Sequence, residues 1–175
     1  MNLFVTDPLP MLAVTHLDDV RLRKMVLETC QMLCTELRRR GHDMPYRSTH
    51  EAHPVAVALS DTQVMDWVVR YMVWIDYEYG WRFGKRHASA RLCLPAILGA
   101  WRPLRQYERW SGLPLFANSA RNLSRGLDFT HLPVPESYRA YLCARWASDV
   151  RPPVWTRRER PEWAQGEHHA ESRRD

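Results

Sequence analysis

The chain has 175 residues and a formal charge of +5 at pH 7, and this length fits one domain with a sizeable core. An apolar fraction of 45% beside 26% charged residues excludes a largely disordered chain. The positive charge is compatible with a polyanionic partner, although many basic proteins bind none.

The first third of the chain predicts two helices. The run NLFV predicts a short extended segment, and Asp7-Pro8 predicts the cap of a short helix over residues 9–17. Asp18 caps a long second helix that ends at Gly41, after a cationic last turn. Its apolar stripe has helical spacing and consists of Leu22, Val26, Cys30, Leu33 and Leu37.

Residues 41–54 have no apolar period and predict a loop, followed by a short helix over 55–59. Ser60-Asp61 begins a long helix to about residue 84. Its predicted inner face consists of Val64, Trp67, Val68, Tyr71, Met72, Ile75 and Tyr79. Ser89 is the predicted cap of a further helix to Trp101, which Pro95 weakens.

A shorter helix is predicted over residues 103–111 and irregular structure over 112–134. The last helix starts near Pro135, and prolines make the segment after it irregular. Residues 164–175 are polar and predict a disordered tail. The whole pattern predicts a mainly α, compact helical bundle with long loops, forming a single domain over residues 1–163.

The four cysteines show no zinc-ligand spacing and are interpreted as free thiols of a reducing compartment. The N-terminus lacks a basic, apolar leader, and no long uncharged apolar run occurs. These features predict a cytoplasmic protein without a membrane partner.

Motifs of the common enzyme classes are absent: the sequence has no P-loop, dinucleotide-binding, nucleophile-elbow or zincin signature. No cofactor is therefore predicted. His50 and His53, with His42 nearby, are a weak metal signal because they lack a second ligand cluster. No metal site is predicted.

One carboxylate stands out on the first long helix. Arg21, Lys24, Glu28 and Gln31 recur at spacings of three and four and form a polar stripe. In one interpretation Glu28 is a surface partner of Lys24. In the other, flanking cations attract phosphates while the carboxylate does acid or base work.

The tryptophans at helical spacings are predicted to be mostly core residues. They are Trp67, Trp74, Trp81, Trp101, Trp110 and Trp146. Trp155 and Trp163 lie in a Pro- and Arg-rich segment. They stack on bases or staple the C-terminus onto the helices, and both interpretations stay open.

Five sequence blocks carry a resemblance. They are MNLFV, DDVRLRKMVLETCQMLCT, YRSTHEAHP, YEYGWRFGKRHAS and WTRRERPEW. They resemble, in this order and over about residues 1–163, a group of uncharacterised phage and bacterial proteins. That group is distantly similar to the pyrimidine-dimer DNA glycosylases, which are single-domain helical proteins.

The resemblance implies a site. In the glycosylases the catalytic Glu follows a helix-opening Asp by nine positions, as Glu28 follows Asp19 here. His53-Pro54 matches a later block. The family implies an N-terminal amine that attacks the sugar C1′ of a flipped-out damaged nucleotide, with the Glu assisting bond cleavage.

Two departures from the family pattern concern the same site. Arg21 stands where the glycosylases have a His. Asn2 is too large for efficient removal of the initiator Met, so the amine in question would be that of Met1.

The sequence thus predicts Glu28, Met1 and His53 as catalytic residues. The predicted DNA-binding residues are Arg21, Lys24, Gln31, Arg47, His50, Arg82, Lys85, Arg86, His87, Trp155, Arg157, Arg158 and Trp163. The predicted partner is duplex DNA with a damaged or modified pyrimidine, and the predicted function is of base-excision type. Two alternatives are a non-catalytic DNA- or protein-binding module, such as a phage accessory protein, on the same fold, and a DNA base-modifying transferase.

Overall fold

A computed structural model describes residues 2–102 and 113–165, and these residues contain six α-helices. The helices are α1 (Pro10–Thr15), α2 (Asp19–Arg39), α3 (Pro54–Ala58), α4 (Thr62–Phe83), α5 (Ala88–Ala100) and α6 (Val134–Ser148). A two-stranded antiparallel hairpin, β1 (Arg121–Asn122) and β2 (Leu127–Asp128), completes the regular structure of these ranges. The prediction of a mainly α, compact domain is confirmed.

Helix α2 lies against α4 and α5 and provides the central wall of the core. The side chain of Asp18 accepts a hydrogen bond from the Val20 backbone and caps the helix as predicted. All five residues of the predicted apolar stripe are fully buried. Gly41, just beyond the helix, has a φ of +88°, which suits glycine at a helix end.

Helix α4 follows the predicted boundaries closely. Asp61 accepts from the backbone of Gln63 and Val64, while Gly84 ends the helix in the left-handed conformation. Every residue of its predicted inner face is buried. Trp74 and Trp81, by contrast, are 38% and 37% exposed, so these two are exceptions to the prediction that the tryptophans at helical spacings are mostly core residues.

Two predicted caps are replaced by neighbouring residues. Helix α1 begins at Pro10, since the Asp7 carboxylate accepts from the Leu9 backbone in a turn ahead of the helix. Helix α5 is capped by His87, whose Nδ1 accepts from the Ser89 backbone. The hydroxyl of Ser89 does not cap the helix and instead accepts a hydrogen bond from the Tyr46 hydroxyl at 2.9 Å.

Irregular structure is predicted over residues 112–134, but the described part before α6, residues 113–133, contains the short hairpin. A 3-10 turn over Leu123–Arg125 joins its strands, and Gly126 closes the turn with a φ of +67°. The base of the hairpin is fixed to the core, because Ala120 is fully buried and its carbonyl accepts from Phe129 at 3.0 Å.

The segment after α6 crosses back over the helices. Val154 accepts a hydrogen bond from the Asp19 backbone at 2.8 Å, so the segment contacts the start of α2. A 3-10 turn over Glu162–Ala164 buries Ala164.

Three predictions lie outside the described residues. They concern the helix over residues 103–111, the burial of Trp110, and residues 166–175 of the tail. Among the helices that are described, none combines the length and apolar character needed to cross a bilayer.

Candidate functional site

A cavity with a volume of about 670 Å³ opens beside the start of α2. We call it the basic cavity. Its walls come from residues 2 and 4, the start of α2, the turn before α3, the segment around β1 and the end of α6. Its cationic lining residues are Arg21, Lys24, Arg121, Arg145 and Arg151. Among the described lining residues, Asp149 is the one carboxylate, so the surface potential favours anions.

Glu28 is held by two residues of this lining. Its Oε2 accepts a hydrogen bond from the Asn2 backbone nitrogen at 3.2 Å, and its Oε1 lies 3.3 Å from Lys24 Nζ. The Glu28 side chain is 13% exposed, whereas that of Lys24 is 62% exposed. The pair with Lys24 therefore exists, as the surface interpretation predicts, but the carboxylate lies mostly within the fold. Gln31 is half-buried on the next turn of α2.

The Asn2 nitrogen that makes this contact also forms the peptide bond to Met1. Met1 itself lies outside the described residues. Its predicted role as a nucleophile stays a prediction.

Tyr71 of α4 lies within reach of the charge of Glu28. Its side chain is fully buried, and among the described residues its hydroxyl has no hydrogen-bond partner. Burial raises the pKa of Tyr71, and the negative charge of Glu28 raises it further. Tyr71 is thus a neutral phenol near the carboxylate.

Arg21 is buried, and its charge is compensated within the fold. Its Nη1 lies 2.7 Å from Asp149 Oδ2 and 3.1 Å from Asp18 Oδ1. Burial opposes the charged guanidinium, but hydrogen bonds and charges from Asp149 and Asp18 outweigh it and raise the pKa of Arg21. Arg21 lines the basic cavity as a fixed cation already paired with carboxylates.

Asp149 also approaches a second arginine of the lining. Arg145 Nη2 lies 3.8 Å from Asp149 Oδ1, and its Nη1 donates to the Tyr141 hydroxyl at 3.4 Å. The carboxylate of Asp149 therefore sits between Arg21 and Arg145 and reduces the positive potential of the cavity.

The loop before α3 contributes one of its three predicted residues to the cavity. His53 lines it and caps α3, with Nδ1 accepting from the Val55 backbone at 3.3 Å. His50 and Arg47 are exposed on the same loop and are not among the lining residues. His50 has a φ of +51°, and its carbonyl accepts from the His53 backbone, so it shapes the turn that presents His53.

Arg82 is placed in the core, not on a binding surface. Its side chain is fully buried and donates to Glu78 at 2.7 Å, to Asp19 at 3.2 Å and to the carbonyl of Leu17 at 2.7 Å. These internal partners correct the prediction that Arg82 contacts DNA, since its charge is committed to holding α2 against α4. The position of Arg82 near a helix end does not reveal from the sequence that its side chain is buried.

Arg158 joins the same cluster. Its Nε and Nη2 donate to the two oxygens of Glu78 at 2.9 and 2.8 Å, and its guanidinium lies 4.4 Å from the Trp81 ring centre. Burial disfavours the Glu78 carboxylate, but hydrogen bonds from Arg158 and Arg82 outweigh this and lower the pKa of Glu78. Arg157 is exposed, and its Nη1 donates to the Trp81 carbonyl at 2.8 Å.

The two C-terminal tryptophans pack on α6. The Trp155 and Trp163 rings lie 5.1 and 5.7 Å from that of Trp146, and Trp155 Nε1 donates to the His16 carbonyl at 3.1 Å. Of the two open interpretations, this packing favours the staple of the C-terminal segment onto the helices.

Three predicted DNA-binding residues follow α4 and lie apart from the basic cavity. Lys85 is exposed, and Arg86 pairs with Asp76, its Nη2 lying 2.6 Å from the carboxylate. His87 caps α5, where burial lowers its pKa although the charge of Asp76 opposes this. None of these three residues lines the basic cavity.

Sequence reasoning missed Arg121, Arg145 and Arg151, which supply three of the cavity's cations. The one available signal was the spacing of four between Arg145 and Asp149 at the end of a predicted helix. Across residues 2–102 and 113–165, no three His, Cys, Asp or Glu side chains are grouped so as to hold a metal ion.

No protein-family model, curated protein or solved structure matches this chain at a significant level.

Proposed function

We propose that this protein is a DNA-acting enzyme of base-excision type, with a fold resembling that of the pyrimidine-dimer DNA glycosylases. The observation that carries the proposal is the hydrogen bond between Glu28, which lies behind the lining of the basic cavity, and the backbone of Asn2, which is a lining residue. Through it, the carboxylate of Glu28, which the sequence singles out, contacts the nitrogen atom that is bonded to Met1. An acid or base beside an amine is the arrangement that imine-forming catalysis requires.

The cavity's charge supports a nucleic-acid substrate. Lys24, Arg121 and Arg151 are exposed around the same concavity and suit contacts with successive phosphates. The cavity volume of about 670 Å³ falls in the range of small-molecule sites and is sufficient for one extruded nucleotide.

The chemistry would proceed through an imine. The Met1 amine bonds to C1′ of the extruded nucleotide, the glycosidic bond breaks, and the base leaves with a proton. The C1′–O4′ bond then breaks as the remaining amine proton passes to O4′, which opens the sugar ring and leaves a Schiff base between the amine and C1′. Glu28 then accepts the C2′ proton as the 3′ phosphate leaves, which breaks the strand.

Arg21 supports a second candidate function, a non-catalytic DNA-binding module. It stands where the resemblance expects a His, and its pairing with Asp18 and Asp149 makes it a fixed structural cation. A scaffold that kept its basic cavity without turning over DNA would have this arrangement.

Borohydride trapping distinguishes the two functions. The wild-type protein is incubated with ultraviolet-damaged or abasic duplex and borohydride, and the adduct is mapped by mass spectrometry. We expect an adduct on the N-terminal peptide, since borohydride reduces the imine to a stable amine. Intact mass identifies the residue that carries the free amine.

Glu28→Gln tests the carboxylate and keeps its size. We expect strand cleavage to be lost and duplex affinity to be kept, with Glu136→Gln, on an exposed position of α6, as the matched control. Unchanged cleavage in Glu28→Gln would exclude the proposed role. Duplex binding without any trapped adduct in the wild type would establish the binding module instead.

A further inference from the structure

The hairpin beside the basic cavity presents an apolar residue at its tip. Leu123 is 70% exposed and directly follows Arg121 and Asn122, both of which line the cavity. Arg121 and Arg125 are exposed on either side of it in the chain. Single exposed leucines are common. A role for Leu123 therefore depends on how rigidly the hairpin holds it, more than on its exposure.

Hydrogen bonds hold the hairpin at its base and near its tip. Asn118 donates to the carbonyls of Thr130 and Leu132 at 3.4 and 3.0 Å, which clamps the base of the hairpin. Near the tip, Ser124 donates to the Asn122 side chain at 2.7 Å, and Gly126 donates to the Leu123 carbonyl at 3.1 Å. A small turn held in this way keeps its apolar tip in place on binding.

The charges around the tip select the partner. Arg121 and Arg125 are suited to bind phosphates on either side of a groove. The leucine between them is apolar and cannot bind a phosphate. Apolar side chains flanked by arginines enter duplexes between base steps, where they partly unstack them. A cavity next to such a side chain provides room for the nucleotide that leaves the stack.

We propose that Leu123 is a wedge that enters the base stack of a bound duplex and occupies the space of the nucleotide held in the basic cavity. The inference rests on the proposed function. It assigns to the hairpin the opening of the duplex, a step separate from the chemistry at Glu28.

Fluorescence of 2-aminopurine tests the wedge. A duplex carries this base next to an abasic site, and its fluorescence rises when the base is unstacked. We expect wild-type protein to raise the fluorescence of the saturated complex. In Leu123→Ala the rise falls to less than about a fifth, while affinity stays within about threefold of wild type.

Two sets of variants separate unstacking from binding. Leu92→Ala, at a 54% exposed position of α5, is the matched control and should behave as wild type. Arg121→Ala and Arg125→Ala should weaken affinity and lower its salt dependence, with the fluorescence of the saturated complex kept. Circular dichroism checks that each variant is folded.

An equal fluorescence rise in Leu123→Ala and wild type would overturn the wedge and leave the proposed function standing. A wild type that binds the duplex and forms the borohydride adduct without raising the fluorescence would do the same. A wild type that does not bind the duplex would overturn both proposals.

Discussion

Two arginines near the end of α4 carry the same charge in different surroundings. The Arg82 side chain is fully buried among Glu78, Asp19 and backbone carbonyls. That of Arg86 is 50% exposed and pairs with Asp76. Buried charges that lose their partner are costly, whereas exposed pairs contribute little.

We therefore expect Arg82→Met to lower the free energy of unfolding by about 3–5 kcal/mol, because it removes the cation paired with Asp19 and one of the two cations paired with Glu78. Arg86→Met should lower it by less than about 1 kcal/mol. Urea denaturation of both variants measures the difference. Equal losses would show that the burial of Arg82 does not set its contribution.

A second residue-scale prediction concerns Asp149. Its carboxylate lies between Arg21 and Arg145 and offsets part of the cavity's charge. Asp149→Asn should tighten duplex binding severalfold and steepen its salt dependence, because Arg145 becomes available to phosphate. Fluorescence anisotropy over a salt series measures both.

The control for that prediction is Asp43→Asn. Asp43 is fully exposed, pairs with Arg38 and does not line the cavity. Unchanged affinity in Asp149→Asn would mean that its carboxylate does not compete with phosphate.

At the scale of elements, α4 contains a matched pair of glycines. Gly84 ends the helix at a φ of +67°, whereas Gly80 lies within it, and a Cβ added at either position meets no described atom within 4 Å apart from neighbouring backbone. Because packing does not differ, the same substitution isolates the effect of backbone conformation.

We expect Gly84→Ala to destabilise the protein by about 1 kcal/mol, since alanine disfavours the left-handed conformation. Gly80→Ala should stabilise it by about 0.5–1 kcal/mol, the difference in helix propensity. Thermal unfolding gives both values, and shifts of the same sign would contradict this explanation of the helix end.

The helices could be predicted because their signals are local. Asp18, Asp61 and Gly84 lie within a few residues of the backbone groups that they cap. The hairpin was missed, because strands of two residues have too few side chains to show alternation. The cap at His87 was missed because Ser89 is the more usual capping residue type.

The site could be predicted only in part, for a related reason. Lys24 and Glu28 are neighbours on one helix, so their pairing follows from spacing. Arg82 and Asp19 are 63 residues apart, and the Glu28–Asn2 contact joins two separate segments. Such contacts depend on how elements pack, which spacing does not determine.

At the scale of the whole molecule, one ionic cluster ties distant parts of the chain together. Glu78 of α4 binds Arg82 of its own helix and Arg158 of the C-terminal segment. Asp19 of α2 binds Arg82 and accepts from Thr156 Oγ1 at 2.6 Å. Loss of charge on Glu78 would therefore loosen several contacts at once.

This cluster predicts acid sensitivity. The pKa of Glu78 in the folded protein lies below its ordinary value of 4.5. The stabilisation is thus fully present above that value and is lost as pH falls through the folded pKa. We expect the free energy of unfolding to fall below pH 4.5, and this loss to be smaller in Glu78→Gln.

Denaturation over a pH series measures this loss, and Glu136→Gln, at an exposed position of α6, is the control. The same acid loss in Glu78→Gln and wild type would show that other carboxylates govern it.

The hydrogen bond from Asn2 to Glu28 also bears on how the protein should be handled. Any residues placed ahead of Asn2, such as an affinity tag, must leave the fold beside the basic cavity, because that hydrogen bond fixes their point of departure there. If the protein binds DNA as proposed, a tag there would crowd the duplex, and it would convert the proposed amine into an amide. Fusions are better attached to the other end of the chain.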